Sequence, residues 1–413
     1  NILVQGEVMN IGIVGLGFVG SVTAAVLADQ GHNVIGLDID TEKIKKFTTG
    51  KIPIYEPGLK ELILKNKKNL KFTSDYNALK DSEIIFISVP TPNINGKINL
   101  EYVYNAIESI INVNKNAIIV IKSTVVPGAG SKIKNEFHAK IVSNPEFLRE
   151  GNAIYDTVHP DRVIIGGEEE YAKKVSFIWE FTKAPILITT RENAELIKYA
   201  SNSFLATKIS FINEIANLCE KIPNTDVEII AKGMGYDKRI GPLFLKAGIG
   251  YGGSCFPKDT EALITFAEEL GEEMKIIKAA RKVNEERIER IIKIIENKLG
   301  KIEGLRILQL GISFKENTND VRESQALKLY YALIEKGANV IVFDPVSKIE
   351  GIRYCDSIKD CLNGIDAIVV ATEWPEFKIL EEMDLKIPVI DGRRILNPEK
   401  FKKYIGMGRY HDD

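Results

Sequence analysis

The run Ile11-Gly12-Ile13-Val14-Gly15-Leu16-Gly17-Phe18-Val19-Gly20, followed after Ser21–Gln30 by Gly31-His32-Asn33-Val34-Ile35-Gly36-Leu37-Asp38, reads as strand, glycine turn, helix and second strand. Gly15 makes the turn, Gly17 lets a pyrophosphate approach the backbone, and Gly20 permits close packing of helix on strand. Phosphate charge is favoured at the N-terminus of such a helix, so Gly15, Gly17, Phe18, Val19 and Gly20 form a candidate phosphate cradle. Asp38 stands about 20 residues on, where a carboxylate accepts from a ribose 2′-hydroxyl. A 2′-phosphate there would meet like charge, so the expected cofactor is NAD rather than NADP. The fold class implied is α/β with a doubly wound parallel sheet.

Working outward, Ile84–Val89 and Ala117–Ile121 are further apolar strands, ending at Pro90-Thr91-Pro92 and Lys122-Ser123-Thr124. In an open α/β sheet such C-terminal strand ends line the ligand crevice. Ile141–Gly151 sets Glu146, Arg149 and Glu150 beside an Asn144-Pro145 break. The last third repeats the opening pattern. Leu305–Gly311 is a strand and Ser324–Lys336 a helix; Gly337–Asp344 echoes Gly31–Asp38, and Ile365–Thr372 echoes the Ile84 strand. Gly311-Ile312-Ser313-Phe314-Lys315 replaces the glycine fingerprint, so a second NAD is not expected. A different nucleotide is, with Lys315, Arg393 or Arg394 on its phosphates.

Between the two halves Asn193–Lys221 has helical periodicity and sets Glu195, Lys198 and Asn202 on one face. Glu195 is expected in solvent. Lys198 and Asn202, among Ile197, Phe204, Leu205 and Ile209, are expected to be buried at a ligand site. A further helical stretch runs from about Thr260 to Leu299. The expected division is a dinucleotide domain over 1–190, a central helical segment over 191–300 and a second nucleotide domain over 301–413. That is two doubly wound Rossmann-like domains joined by a long central helix. Met9 directly precedes the first strand and is the expected natural start, and the polar tail from Tyr404 is expected to be mobile.

Composition narrows the function. Charged residues are 27% with a net charge of −2, so no basic field points to nucleic acid. No apolar run approaches the roughly 18 residues of a membrane span. The four cysteines lack metal-ligand spacing and are too few for a disulfide scaffold, so no metal is expected and a reducing cytoplasm is the simplest compartment.

The chemistry centres on Ile249-Gly250-Tyr251-Gly252-Gly253-Ser254-Cys255-Phe256-Pro257-Lys258-Asp259. The glycines allow close approach of a ligand, and Pro257 suits the first turn of a helix. Cys255 then sits at that helix start with Asp259 about one turn on. The positive end of the helix and Lys258 both favour thiolate over thiol.

With Gly15–Gly20, Ser123-Thr124-Val125, Asn144–Gly151, Asn193–Glu220, Gly250–Asp259 and Phe314–Ser324 in one chain, the sequence resembles the nucleotide-sugar 6-dehydrogenases. The likeness runs from about Met9 to Arg394. It implies two NAD-dependent oxidations of a primary alcohol to a carboxylate, through a thioester on Cys255, in a homodimer or larger homo-oligomer built on the central helix. It implies that Lys198 and Asn202 hold the oxyanion, and that Thr124, Glu146 and Asp259 place water, with Glu146 the general base. Phe147, Leu148, Glu150, Phe244, Leu245, Lys246, Tyr251 and Gly252 match substrate-lining positions, as do Phe314, Lys315 and Arg393. Arg239 matches an arginine that reaches a neighbouring subunit's substrate. Asp38, Lys43, Thr91, Thr124, Glu150, Lys258 and Arg322 match NAD contacts. Relatives act on UDP-glucose, GDP-mannose or UDP-N-acetyl sugars; Ser254 before the cysteine and the intact Phe256–Asp259 run favour UDP-glucose.

Overall fold

The computed structural model describes residues 8–411, so the extension expected before Met9 lies, apart from Val8, outside the described residues. The chain forms two compact units that divide at Ala200–Ser201, within the helix Arg191–Cys219.

In the first unit the strands are β1 (Asn10–Val14), β2 (Asn33–Leu37), β3 (Leu70–Thr73), β4 (Ile84–Ile87), a short hairpin of β5 (Asn93–Ile94) and β6 (Lys97–Ile98), β7 (Ile118–Ile121), β8 (Lys140–Ser143), β9 (Val163–Gly166) and β10 (Ile186–Thr189). They make an eight-stranded sheet in the order β10-β9-β8-β7-β4-β1-β2-β3. Strands β3 to β8 of that order are parallel, whereas β9 meets β8 antiparallel through Ser143 and Gly166. Strands buried on both faces read as continuous Ile and Val runs. Ile84, Phe86, Ile118 and Val120 accordingly join one core layer, while Ile85, Ile87, Ile119 and Ile121 join the other. Strand order reverses between β1 and β4, which opens the crevice beyond their C-terminal ends.

The second unit carries β11 (Arg306–Leu310), β12 (Asn339–Phe343), β13 (Ala367–Val370), β14 (Val389–Asp391) and β15 (Tyr404–Gly406) in a parallel sheet ordered β12-β11-β13-β14-β15. Its register repeats that of the first: Ile11 faces Val34 as Ile307 faces Val340. Both sheets are Rossmann-like, as the echo in sequence implies.

Three local readings are corrected and one pairing is added. The first helix is Phe18–Asp29, so Phe18 and Val19 open it instead of lying in the turn. The stretch taken as one helix to Leu299 is three, Phe256–Glu269, Lys275–Glu285 and Arg287–Leu299; Gly271 at φ +80° breaks the first pair. The tail is held rather than mobile: Tyr404–Gly406 is an edge strand, Met407 is buried, and the His411 imidazole bonds Gly406. Polar composition hid it because few of its residues, Tyr404, Ile405 and Met407 among them, pack on a core. Finally, Cys355 and Cys361 form a disulfide, which spacing could not reveal.

Candidate active site

The cradle of the first unit is built as its glycines require. Gly15 has φ +93°, and a Cβ there would lie 2.7 Å from the Ser88 carbonyl oxygen. A Cβ on Gly20 would reach within 1.8 Å of the Gly15 oxygen, so helix and turn touch at backbone distance. Around Gly17, by contrast, there is open space, which suits a pyrophosphate approaching the backbone. Gly17 caps the helix without a side-chain acceptor, leaving the N–H groups of the first turn for an anion. Asp38 is buried; its Oδ2 accepts from Leu16 N at 2.9 Å and pairs with Lys43 Nζ at 2.8 Å. These residues fit NAD. Thr91 Oγ1 donates to the Thr124 carbonyl at 2.8 Å and so ties the loops after β4 and β7 together.

Three residues beyond β8 the Asn144-Pro145 break turns Glu146 inward. Glu146 and Lys198 form a buried ion pair at 2.9 Å, and Lys198 Nζ also donates to the Glu146 carbonyl at 2.7 Å. Burial alone would raise the Glu146 carboxyl. The Lys198 charge, the Leu148 N–H at 2.7 Å and the more distant Lys122 outweigh it and hold the group below the usual carboxylate range. Phe147 lies between two cations, with the Arg162 guanidinium 3.8 Å and Lys198 Nζ 5.5 Å from its ring centre. Leu148 and Glu150 follow, both half-buried.

Glu195 overturns its expected place in solvent. It is 3% exposed and accepts from Gly128 N (2.7 Å), Gly130 N (3.0 Å) and Ser143 Oγ (2.7 Å). Desolvation pushes its carboxyl up to about 7 despite those donors. A helical face says which residues share a side, not which side another element covers. Lys122 is also buried, 4.8 Å from the Trp179 ring centre and 3.5 Å from Asn144 Oδ1. Sequence reading set it in a crevice-lining loop and gave no sign of its burial.

In the second unit the glycine loop is buried, and side chains hold its backbone. Asn213 Oδ1 takes Gly248 N, and Arg287 Nε donates to Gly248 O. Gln325 Nε2 reaches Ile249 O, Arg393 Nη1 reaches Gly250 O, and Asn284 bonds both N and O of Tyr251. The glycines make room for this cage. A Cβ on Gly250 would lie 2.5 Å from Asn284 Oδ1, and one on Gly252 2.2 Å from Glu323 O. A Cβ on Gly253 would lie 2.7 Å from the Phe314 ring.

The loop ends at Cys255, half-buried, which is the N-cap of Phe256–Glu269 with Pro257 in the first turn. Asp259, 1% exposed, donates its N–H to Cys255 O at 2.8 Å and accepts from Asn202 Nδ2 at 2.7 Å. Lys258 lies 3.8 Å from that carboxylate. Cys255 therefore stands one helical turn before a buried acid that an amide donor from the long helix meets.

The remaining expected residues divide by environment. Phe244, at φ +63°, and Tyr251 pack around Phe256, and Leu245 is buried. Arg393 is buried behind the loop, its Nε on Ala371 O. Lys315 stands over the Phe314 ring at 5.9 Å. Lys246, Arg239 and Arg322 are exposed and pair with Glu373, Asp237 and Asp320. Arg394, considered for phosphates, is instead buried on Asp226. Sequence reasoning missed the loop's holders Asn213, Asn284, Arg287 and Gln325, since lone polar residues in amphipathic helices do not announce what they face.

Three family models match in order: the NAD binding domain of the UDP-glucose/GDP-mannose dehydrogenase family over residues 9–181, its central domain over 192–286 and its UDP binding domain over 308–398. The UDP-glucose 6-dehydrogenase YwqF of Bacillus subtilis is 42% identical, covering 90% of this chain and 89% of the relative. That of Rickettsia bellii is also 42% identical, covering 97% and 99%. Among solved structures, a UDP-glucose dehydrogenase from Pyrobaculum islandicum superposes with a TM-score of 0.92 at 35% identity, covering 98% and 99% of the two chains. A UDP-D-ManNAc dehydrogenase from Pyrococcus horikoshii gives 0.86 at 29%, covering 97% and 99%.

Proposed function

This chain belongs to the UDP-glucose/GDP-mannose dehydrogenase family, and from that premise we propose that it oxidises UDP-glucose to UDP-glucuronate with two NAD per turnover. NAD, when bound, takes up a hydride in each oxidation. The observation that carries the reading is Cys255, half-buried at a helix start, one turn before the buried Asn202–Asp259 pair.

In the first oxidation the primary alcohol gives up a proton and a hydride and becomes an aldehyde. The Cys255 thiolate then adds to the aldehyde carbon, forming a carbon–sulfur bond and an oxyanion. Lys198 and Asn202, one helical turn apart in sequence, supply a cation and an amide donor for that oxygen. Loss of the second hydride leaves a thioester. Water, oriented by Thr124 and Asp259 and deprotonated by Glu146, breaks the carbon–sulfur bond and frees both carboxylate and thiolate. Lys198 keeps Glu146 ionised and so free to take a proton, and the same charge lowers its basicity. Phe147, Leu148, Glu150, Phe244, Leu245, Lys246, Tyr251 and Gly252 line the sugar nucleotide in this reading, with Phe314, Lys315 and Arg393 beside it. Asp38, Lys43 and Thr91 would hold NAD, and by the family likeness Lys258 and Arg322 would as well.

The same reading makes the enzyme a homodimer. Phe204, Phe211 and Leu218 recur every seventh residue on the long helix, so they fall on one face, and are 65%, 47% and 57% exposed. Ile229 and Tyr236 extend the apolar character to the next segment. Arg239, exposed beyond it, is assigned to the partner subunit's substrate. Among the described residues no helix is long and apolar enough to cross a membrane. The same reading places the enzyme in the cytoplasm, where Cys255 stays a thiol, and the Cys355–Cys361 disulfide stands against the general rule for that compartment.

The test is stoichiometric. Wild-type protein yields two NADH per UDP-glucose, and GDP-mannose and UDP-N-acetyl sugars yield far less. Cys255→Ser lowers steady turnover by about 10³-fold or more while UDP-glucose and NAD still bind. One NADH per substrate, or near wild-type turnover by the serine variant, defeats the thioester route.

A further inference from the structure

We propose that Glu195 is a positioning residue for the reaction, a single carboxylate that fixes three catalytic segments of the first unit in register. The proposal rests on the reading of Thr124, Glu146 and Lys198 given above.

Arg191, Glu195 and Lys198 occupy one face of the long helix, at i, i+4 and i+7. They meet β8 and the chain beyond it in order. Arg191 Nε donates to Ile141 O at 2.8 Å, Glu195 accepts from Ser143 Oγ at 2.7 Å, and Lys198 Nζ donates to Glu146 O at 2.7 Å. A slip of the helix by one turn would carry Lys198 about 5.4 Å from Glu146. Glu195 is the middle tie of this series, and it has a second function. Its two oxygens also take the N–H groups of Gly128 and Gly130, at the start of helix Ala129–Phe137. The loop leading into that helix carries Thr124. One buried carboxylate thus joins the Thr124 loop, the Glu146 segment and the helix that bears Lys198.

The pocket is shaped for it. A Cβ on Gly130 would lie 2.5 Å from Glu195 Oε1 and 2.7 Å from Ser143 Oγ, so the absence of a side chain there makes room for the carboxylate. All three partners donate to it, and the two oxygens of a glutamate carboxyl can accept from all of them at once, which the amide of a glutamine of the same length cannot. In Glu195→Gln the amide N–H₂ would face a backbone or hydroxyl donor, and the tie would open on one side.

The experiment compares Glu195→Gln, Ser143→Ala, Lys198→Ala and the double variant Glu195→Gln/Lys198→Ala as full-length protein. Glu195→Gln should lower kcat by about 10²-fold, the scale of a misplacement near 1 Å. Its Kd for NAD and KM for UDP-glucose should stay within about threefold, and Ser143→Ala should lose a smaller part of kcat. The double variant should lose less than the two single losses combined, because part of the tie acts through the lysine; full additivity overturns that part. A folded Glu195→Gln with kcat within about threefold of wild type overturns the proposal, as does a fall in NAD affinity as large as that in kcat. If Glu195→Gln does not fold, Ser143→Ala decides, and an unchanged kcat there is a refutation. Lys198→Ala and Cys255→Ser separate the two levels. Should those retain activity, the reading of the reaction has failed; should they lose it while Glu195→Gln does not, only this proposal has.

Discussion

Lys122 shows how one side chain can oppose stability at the edge of a site. Burial disfavours its ammonium; Glu146 favours the charge and Lys198 disfavours it, and the net effect brings it down from 10.5 to about 8. A folded-state value below the unfolded one gives stability that is complete only above the unfolded value and lost as pH falls through about 8. The loss is on the order of 3 kcal/mol at most. Lys122→Met keeps the unbranched chain and removes the charge. It should melt no lower than wild type at about pH 7, and its advantage should shrink as pH rises from about 8 towards 10. Thermal melts across that range check it; a variant that is weakest at neutral pH would mean the ammonium is held by net attraction. Neither this residue nor Glu195 was legible in sequence. Both are ordinary charged residues in periodic segments, and their burial comes from Trp179, Ser143 and helix Ala129–Phe137 packing over them.

At the scale of elements, the glycine loop Gly248–Gly253 has no regular backbone partner for most of its groups, so side chains take that part. A buried N–H or C=O left unpaired costs about 1–3 kcal/mol. Asn284→Ala would strand both polar groups of Tyr251 and should destabilise the protein by about 3 kcal/mol, read as a fall in denaturant midpoint. Gly250→Ala should do at least as much harm, because the residue has φ +99° and its Cβ would meet Asn284 and Gln325. Turnover should fall in both beyond what the folded fraction accounts for, since the loop delivers Cys255. A Gly250→Ala protein as stable and active as wild type would show that the cage is not needed. The motif itself was legible: three glycines, a cysteine and Pro257 predict a loop entering a helix, and Cys255 is that helix's N-cap. The helices around it were read less well, because continuous periodicity from Thr260 to Leu299 hid the break at Gly271.

For the whole molecule, the exposed row Phe204, Phe211 and Leu218 sets the expectation for assembly. Apolar contact of this kind drives association, and a charge at its centre must be desolvated without a partner. If the proposed dimer forms, Phe211→Glu should shift it towards monomer in sedimentation at micromolar concentration. Loss of activity should accompany it, since Arg239 is assigned to the partner's substrate; a wild-type monomer would refute the dimer. By itself the sequence determined the two Rossmann-like sheets, their shared register and the NAD cradle. Those features are written in local periodicity and in glycines that tolerate no Cβ, and both are visible along the chain. Only the tertiary structure decided which polar residues lie inside, that Tyr404–Gly406 closes a sheet and that Cys355 joins Cys361. The reason is physical. Burial and ion pairing depend on which distant segment covers a residue, the disulfide on how a short loop bends, and contacts such as Glu195 with Gly128 or Asn284 with Tyr251 leave no periodic trace in the residues that make them.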